Sequence, residues 1–220
     1  MEICVVEQQP SAPAGFFAEW ARERSHRIRL LRMPEVGEWP DPAGCDAIVP
    51  LGSERSVHSS PDAWIARQIA FLRAAHEQDV PVLGLCFGSQ ALAAALGGRV
   101  EPAARPEIGW LELEALDGGP VPPGPWFEWH FDTFTVPPGA EELARSATGP
   151  QAFRLGRSVG LQFHPEATPA IIGEWLRTGR GELDAHALDG EAIGRQTAQT
   201  AAAARERAFA LFDAIAAGWT

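Results

Sequence analysis

Residues 82–90, Val-Leu-Gly-Leu-Cys-Phe-Gly-Ser-Gln, constrain this chain more than any other stretch. An apolar, strand-like run passes through Gly84-Leu85-Cys86-Phe87-Gly88 and continues into a helical segment, Gln90–Leu96. The spacing matches a nucleophile elbow, a tight strand-to-helix turn that presents a reactive side chain. Glycines flank such a residue because the turn brings backbones close and strains its centre. The helix that follows aims its N-terminal N–H groups at the turn, which favours a thiolate at Cys86. The Phe87 N–H falls where an oxyanion donor is needed. The competing reading of Cys86 is a small buried hydrophobe.

The first half of the chain alternates short apolar runs with helix-period segments. Glu2–Val6, Ile28–Leu31, Asp46–Leu51 and Val80–Leu85 read as strands, and Gly15–Ser25 as a short helix. A second helix is expected from Ser60-Pro61-Asp62, with the proline in its first turn, to about Gln78. This β-α-β-α order argues a parallel sheet with helices on its faces. In the second half, Ile108–Ala115 alternates as a half-exposed strand and Trp126–Phe134 is rich in aromatics. Gln151–Leu155 and Ser158–Phe163 suit a hairpin around Gly156-Arg157. Thr168–Arg177 reads as a helix capped by Thr168, and Asp184–Glu191 as polar loop. Ala192–Ala217 is a final helix with Phe209, Phe212 and Ile215 on one stripe. No linker divides the chain, so 1–220 reads as one domain, with a core over about 1–180 and a helical extension over about 182–220. That helix either packs on its own sheet or offers a docking face.

Composition narrows the chemistry. The chain has no lysine, asparagine or tyrosine, which excludes Schiff-base amines, phosphate-loop lysines and Cys-His-Asn catalysis. A formal charge of −11 argues against binding to nucleic acid. No run approaches the ~18 apolar residues of a membrane span, and no secretory signal is visible. The three cysteines, Cys4, Cys45 and Cys86, form no Cys-x-x-Cys pair. Neither a disulfide framework nor a metal site is therefore expected, and Cys4 and Cys45 read as buried hydrophobes. A reducing compartment, the cytoplasm, fits this count.

A second segment complements the elbow. Gly160-Leu161-Gln162-Phe163-His164-Pro165-Glu166 closes a strand with His164 and Glu166 two positions apart. On extended chain those residues share a face, and Pro165 favours extended geometry at His164. They can form a base–orienter pair, the carboxylate fixing the imidazole tautomer.

With Gly84–Gln90, Pro106–Trp110, Trp129–Asp132 and Gln162–Glu166 appearing in that order, the chain resembles a class I glutamine amidotransferase of the Cys-His-Glu type. The resemblance spans roughly residues 46–166. It implies a three-layer α/β fold, flavodoxin-like, with a mostly parallel central sheet. It also implies Cys86 as nucleophile, His164 as general base and acid, and Glu166 as its orienter. Gln90 would contact a bound glutamine, Trp129, His130 and Phe131 would line its amino-acid end, and Gly52 would add a second oxyanion N–H to that of Phe87. Two departures stand out. Leu51-Gly52-Ser53 replaces the family's Gly-Gly-Pro-like turn, and His130-Phe131-Asp132 replaces a His-Gly-Asp-like segment.

The implied reaction passes through a γ-glutamyl thioester on Cys86 and needs no metal or organic cofactor. Its ammonia would go to a separate synthetase. The alternatives are a free-standing γ-glutamyl peptidase or hydrolase and, with less support, a non-catalytic module on the same fold.

Overall fold

The computed structural model describes residues 1–33, 37–116 and 118–219. Its first strands are β1 (Glu2–Glu7), β2 (Arg27–Arg32), β3 (Ala47–Pro50) and β4 (Val82–Leu85). The helices α1 (Gly15–Glu23), α2 (Ala63–Glu77) and α3 (Phe87–Ala95) alternate with them. Then come β5 (Val100–Glu112), β6 (Glu114–Ala115), β7 (Pro125–Phe134), β8 (Glu141–Arg145), β9 (Pro150–Leu155) and β10 (Ser158–Leu161). Three helices close the chain: α4 (Pro169–Thr178), α5 (Arg180–Ala185) and α6 (Gly190–Ala216).

The main sheet has the order β2-β1-β3-β4-β10-β9-β8-β6. Strands β2, β1, β3, β4 and β10 run parallel, and β9, β8 and β6 continue the sheet antiparallel. The two faces of each central strand bury different helices, as the period of two requires. Ile3, Val5, Val49 and Leu85 pack with Phe17, Trp20, Phe209 and Phe212 of α1 and α6. Cys4, Val6, Ile48 and Val82 pack on the other face with Leu72, Phe87 and Leu92 of α2 and α3. The result is the three-layer α/β arrangement that the alternation predicted. β5 and β7 pair as a separate antiparallel ribbon, with a register shift between Pro102 and Glu107. A third cluster, which includes Phe127, Ile172 and Ile193, holds that ribbon against α4, α5 and α6.

Several local expectations differ from the structure. Asp62 is the N-cap of α2, so Pro61 precedes the helix and is not in its first turn. The helix Arg180–Ala185 was not expected and runs into the start of the segment Asp184–Glu191 read as loop, and α6 begins at Gly190 inside the end of that segment. The short helix shows no apolar period because Leu183 is its one buried residue. β8, Glu-Glu-Leu-Ala-Arg, has a helix-former's composition; it is a strand because Leu143 and Ala144 are buried between β9 and β6.

The cysteine expectation is corrected as well. Cys4 and Cys45 form a disulfide with their Cα atoms 5.9 Å apart, and Cys86 is free. Parity counts cysteines along the chain, but β1 lies beside β3, with Cys4 opposite Ile48, and Asp46 donates its N–H to the Glu2 carbonyl at 3.0 Å. That pairing brings together thiols 41 residues apart, and the inference of a reducing compartment from unpaired thiols no longer stands. Among the described residues no helix is long and apolar enough to cross a membrane.

α6 is built into the main cluster through Ala208, Phe209, Leu211, Phe212 and Ile215. Asp213 ties it to α1, accepting from Trp20 Nε1 at 2.8 Å and pairing with Arg24. Phe212→Ala is expected to cost about 3–5 kcal/mol, read by denaturant unfolding. Ending the chain after Gly181 should leave an insoluble or molten product, since burying each lost apolar side chain contributes roughly 1.5–3 kcal/mol. A soluble, fully active truncate would show that α6 is dispensable to the core.

Candidate active site

The site lies at the C-terminal ends of β3, β4 and β10, where a parallel sheet places its loops and helix N-termini. At the end of β4, Cys86 has φ +48°, in the left-handed region that non-glycine residues avoid. The turn exists because its neighbours carry no Cβ. A Cβ on Gly88 would stand 2.0 Å from the Pro50 carbonyl oxygen, and one on Gly84 2.6 Å from that of Gly88. Cys86 N–H donates to Leu161 O at 2.8 Å and Gly88 N–H to Leu51 O at 3.1 Å, so the elbow is bonded to both adjacent strands. Ser89 Oγ donates to the Cys86 carbonyl at 2.7 Å. Phe87 opens α3, so its N–H has no intrahelical acceptor.

Just beyond β10, His164 Nδ1 meets Glu166 Oε1 at 2.7 Å, and both side chains are buried. That contact commits Nδ1 and leaves Nε2 as the ring atom available to Cys86, whose charge acts on the imidazole. Burial acts to lower the His164 pKa, but the Cys86 and Glu166 charges outweigh it and hold the imidazole well above the ordinary histidine range. Trp175 packs edge-on against the ring, with centroids 4.8 Å apart. The Glu166 carbonyl accepts from Phe16 N–H at 2.8 Å. Gly15 is required beneath it, since a Cβ there would stand 2.0 Å from that oxygen.

A cavity of about 370 Å³ opens over Cys86 and His164. Gly52, Phe87, Gln90, Trp129, His130 and Phe131 all border it. Gly52 is close to both reactive groups: a Cβ there would lie 3.3 Å from His164 Cε1 and 3.8 Å from Cys86 Cβ. Gln8 and Gln9 fix the loop after β3, Gln8 through the Leu51 carbonyl at 3.2 Å and Gln9 through Glu54 N–H at 2.9 Å. At the rim, Ser56 Oγ donates to Asp132, and Trp129 Nε1 donates to Glu182 at 2.7 Å. Phe131 is the exposed aromatic of this wall.

His130 differs from the sequence picture of a free pocket-lining side chain. Its Nδ1 lies 2.9 Å from the Asp132 carbonyl, and its Nε2 lies 3.2 Å from Glu107 and 3.4 Å from Glu128. The carboxylates approach Nε2 off-axis, which makes this a buried ion cluster more than a set of directed hydrogen bonds. Burial works to lower the His130 pKa, but Glu107 and Glu128 push it up to about 10. Burial raises the pKa of Glu128; Glu107 lies below the usual carboxylate range because His130, Thr148 and Ser146 outweigh its burial.

Sequence reasoning did not single out Gln162, which is fully buried beneath the sulfur. A signal was present: Gln162, His164 and Glu166 alternate, and alternate residues of an extended segment face one way. Glu128 carries the same signal toward His130, two positions on along β7, whereas Glu107 carries none because it faces His130 from across the ribbon.

The glutamine amidotransferase class-I family model matches residues 56–176. The chain belongs to the class I glutamine amidotransferase family. It is 43% identical over 104 residues to a glutamine-hydrolysing GMP synthase of Thermomicrobium roseum, covering 44% of this chain and 20% of that protein. The GMP synthase of Phenylobacterium zucineum is 32% identical over 176 residues, 74% of this chain and 31% of that one. The chain thus spans about a fifth to a third of these curated relatives. A glutamine amido transferase from Methylobacillus flagellatus superposes with TM-score 0.91 at 26% identity, covering 99% of this chain and 94% of that one. A glutamine amidotransferase from Thermotoga maritima shares the fold, with TM-score 0.88 at 24% identity over 98% and 97% of the two chains.

The His130 cluster generates a prediction of sign. A histidine raised to about 10 contributes stability that is fully present below its unfolded value of about 6.5 and is lost as pH rises through about 10. Glu128, also raised, acts in the same direction. With neither lysine nor tyrosine present, few other groups titrate there. The melting temperature should fall between about pH 8 and about pH 10.5, and His130→Gln should flatten that slope. An equal alkaline loss in the variant would contradict the assignment.

Proposed function

We propose that the chain hydrolyses the side-chain amide of glutamine through a thioester on Cys86. The observation that carries this reading is one free cysteine on a positive-φ elbow, coupled to a buried His164–Glu166 pair in a cavity. In the first step sulfur attacks the γ-carbonyl with the Cys86 proton carried on His164 Nε2. The N–H groups of Phe87 and Gly52 receive the developing oxyanion. The C–N bond breaks as His164 returns the proton to the departing nitrogen, releasing ammonia and leaving a γ-glutamyl thioester. Water then gives a proton to His164 and attacks the carbonyl. The C–S bond breaks, and glutamate leaves with the thiol restored. Glu166 holds the imidazole tautomer throughout and accepts no proton. Gln90, Trp129, His130 and Phe131 shape the substrate's surroundings, His130 through the wall it stiffens.

The ammonia is passed to a synthetase that lies outside these residues. Support for this partner is the match to glutamine-hydrolysing GMP synthases, of which this chain covers only a minor share.

Three variants and a substrate panel test the reading. Cys86→Ala should abolish glutaminase activity with the fold retained by circular dichroism. His164→Ala should cost about as much, because members of such a unit act together. Glu166→Gln should be milder. Greater damage from Glu166→Gln than from His164→Ala would reverse the roles. Ammonia from glutamine should exceed amine release from γ-glutamyl peptides. The opposite order would show a γ-glutamyl hydrolase.

A further inference from the structure

Two side-chain amides and two backbone carbonyls form a connected set around the reactive sulfur, and only one arrangement of donors and acceptors satisfies it. The Asp132 carbonyl can only accept, so the Gln90 group 3.2 Å from it is the NH₂. That same NH₂ lies 3.1 Å from the Gln162 side chain, which must therefore present its oxygen to Gln90. The remaining end of Gln162, its NH₂, points at Cys86 Sγ at 3.7 Å. On another side Sγ lies 3.9 Å from the Trp129 carbonyl, a group that can take an S–H but can give nothing back. Gln162 is fully buried, so no water competes for its N–H. Its own backbone is pinned by the Gln162 N–H to Gln151 carbonyl bond at 2.8 Å.

We infer that Gln162 is a further catalytic residue, a fixed neutral donor to the Cys86 sulfur that holds the nucleophile's lone pair while His164 carries its proton. The inference deepens the thioester reading and rests on it. As a thiol, Cys86 turns its S–H to the Trp129 carbonyl; as a thiolate, it gains the Gln162 N–H. A donor to an ionised acceptor is stronger than one to a neutral acceptor, so Gln162 favours the attacking form over the resting one. When the C–S bond forms, sulfur becomes a neutral thioether-like acceptor and that hydrogen bond weakens. When the thioester breaks, the bond strengthens again as charge returns to sulfur. Gln162 thus assists departure of the sulfur in the second half-reaction as well. Gln90 is held by the other end of the same amide and reports on substrate binding.

The test separates action on sulfur from support of Gln90. Iodoacetamide alkylation reads Cys86 alone, because Cys4 and Cys45 are paired. Gln162→Met, of similar length but with no donor, should slow alkylation at neutral pH roughly tenfold and lower kcat by at least about that factor. Gln90→Met should raise KM for glutamine and leave the alkylation rate within about twofold. If Gln162→Met instead copies Gln90→Met, raising KM with alkylation and kcat unchanged, Gln162 is only a support and the inference is overturned. Should Gln162→Met fail to fold because Gln90 loses its acceptor, the double variant Gln90→Met/Gln162→Met removes both amides together. Its alkylation rate, set against that of Gln90→Met, then carries the same roughly tenfold expectation, and equal rates overturn the inference. A wild-type chain that fails to hydrolyse glutamine would sink the thioester reading, while the alkylation ratios would still decide the role of Gln162.

Discussion

The contact between Gly88 and the Pro50 carbonyl, closed by the Gly88 N–H to Leu51 hydrogen bond, is what the rest of the site depends on. It presses the start of α3 onto the end of β3 and forces Cys86 into a left-handed backbone conformation. Such strain costs on the order of 1–3 kcal/mol and persists only where the surroundings over-determine it. Here the Cys86 N–H bond to Leu161 and the Ser89 bond to the Cys86 carbonyl do so. The same bonds gather the ends of three strands. Gly52 arrives just past β3, Cys86 just past β4, and Gln162 and His164 just past β10. The chemistry is concentrated because the backbone has no slack there.

Two buried histidines stand near one sulfur, and the carboxylates around each decide between them. His130 has both ring nitrogens committed, Nδ1 to the Asp132 carbonyl and Nε2 to Glu107 and Glu128. With its proton held so firmly, it cannot shuttle one. His164 has a single carboxylate partner and keeps Nε2 for the thiol. Each carboxylate therefore has a distinct consequence: one on His164 orients a base, and two on His130 make a fixed charge that stiffens the β5–β7 ribbon. The ribbon in turn supplies the Trp129 carbonyl beside Sγ and the Asp132 carbonyl that holds Gln90.

What could be read from the sequence follows contact distance along the chain. The elbow and the His164–Glu166 pair are local patterns, with their partners within a few residues, and both were visible. The central strands were visible because both faces of each are buried, which produces apolar runs. β8 was not, since Glu141–Arg145 becomes a strand only by pairing with β9 and β6. The Cys4–Cys45 disulfide was missed because it spans two neighbouring strands, and counting thiols cannot detect adjacency. His130 was placed at the cavity without its carboxylates: Glu107 reaches it only through the register of β5 against β7, and Glu128 is two positions away on β7 itself. Gln162 lies inside the Gly160–Glu166 motif; only the three-dimensional chain from the Asp132 carbonyl through Gln90 gives its amide a direction.

The central claim is a covalent one, that the elbow cysteine takes up the γ-glutamyl group. Acid-quenching the protein during turnover of isotopically labelled glutamine, followed by peptide mass spectrometry, measures this directly. The account predicts a labelled γ-glutamyl adduct on the peptide containing Cys86, and none when Cys86 is replaced by alanine. Turnover of glutamine with no adduct at Cys86, or with an adduct on a different residue, would contradict it.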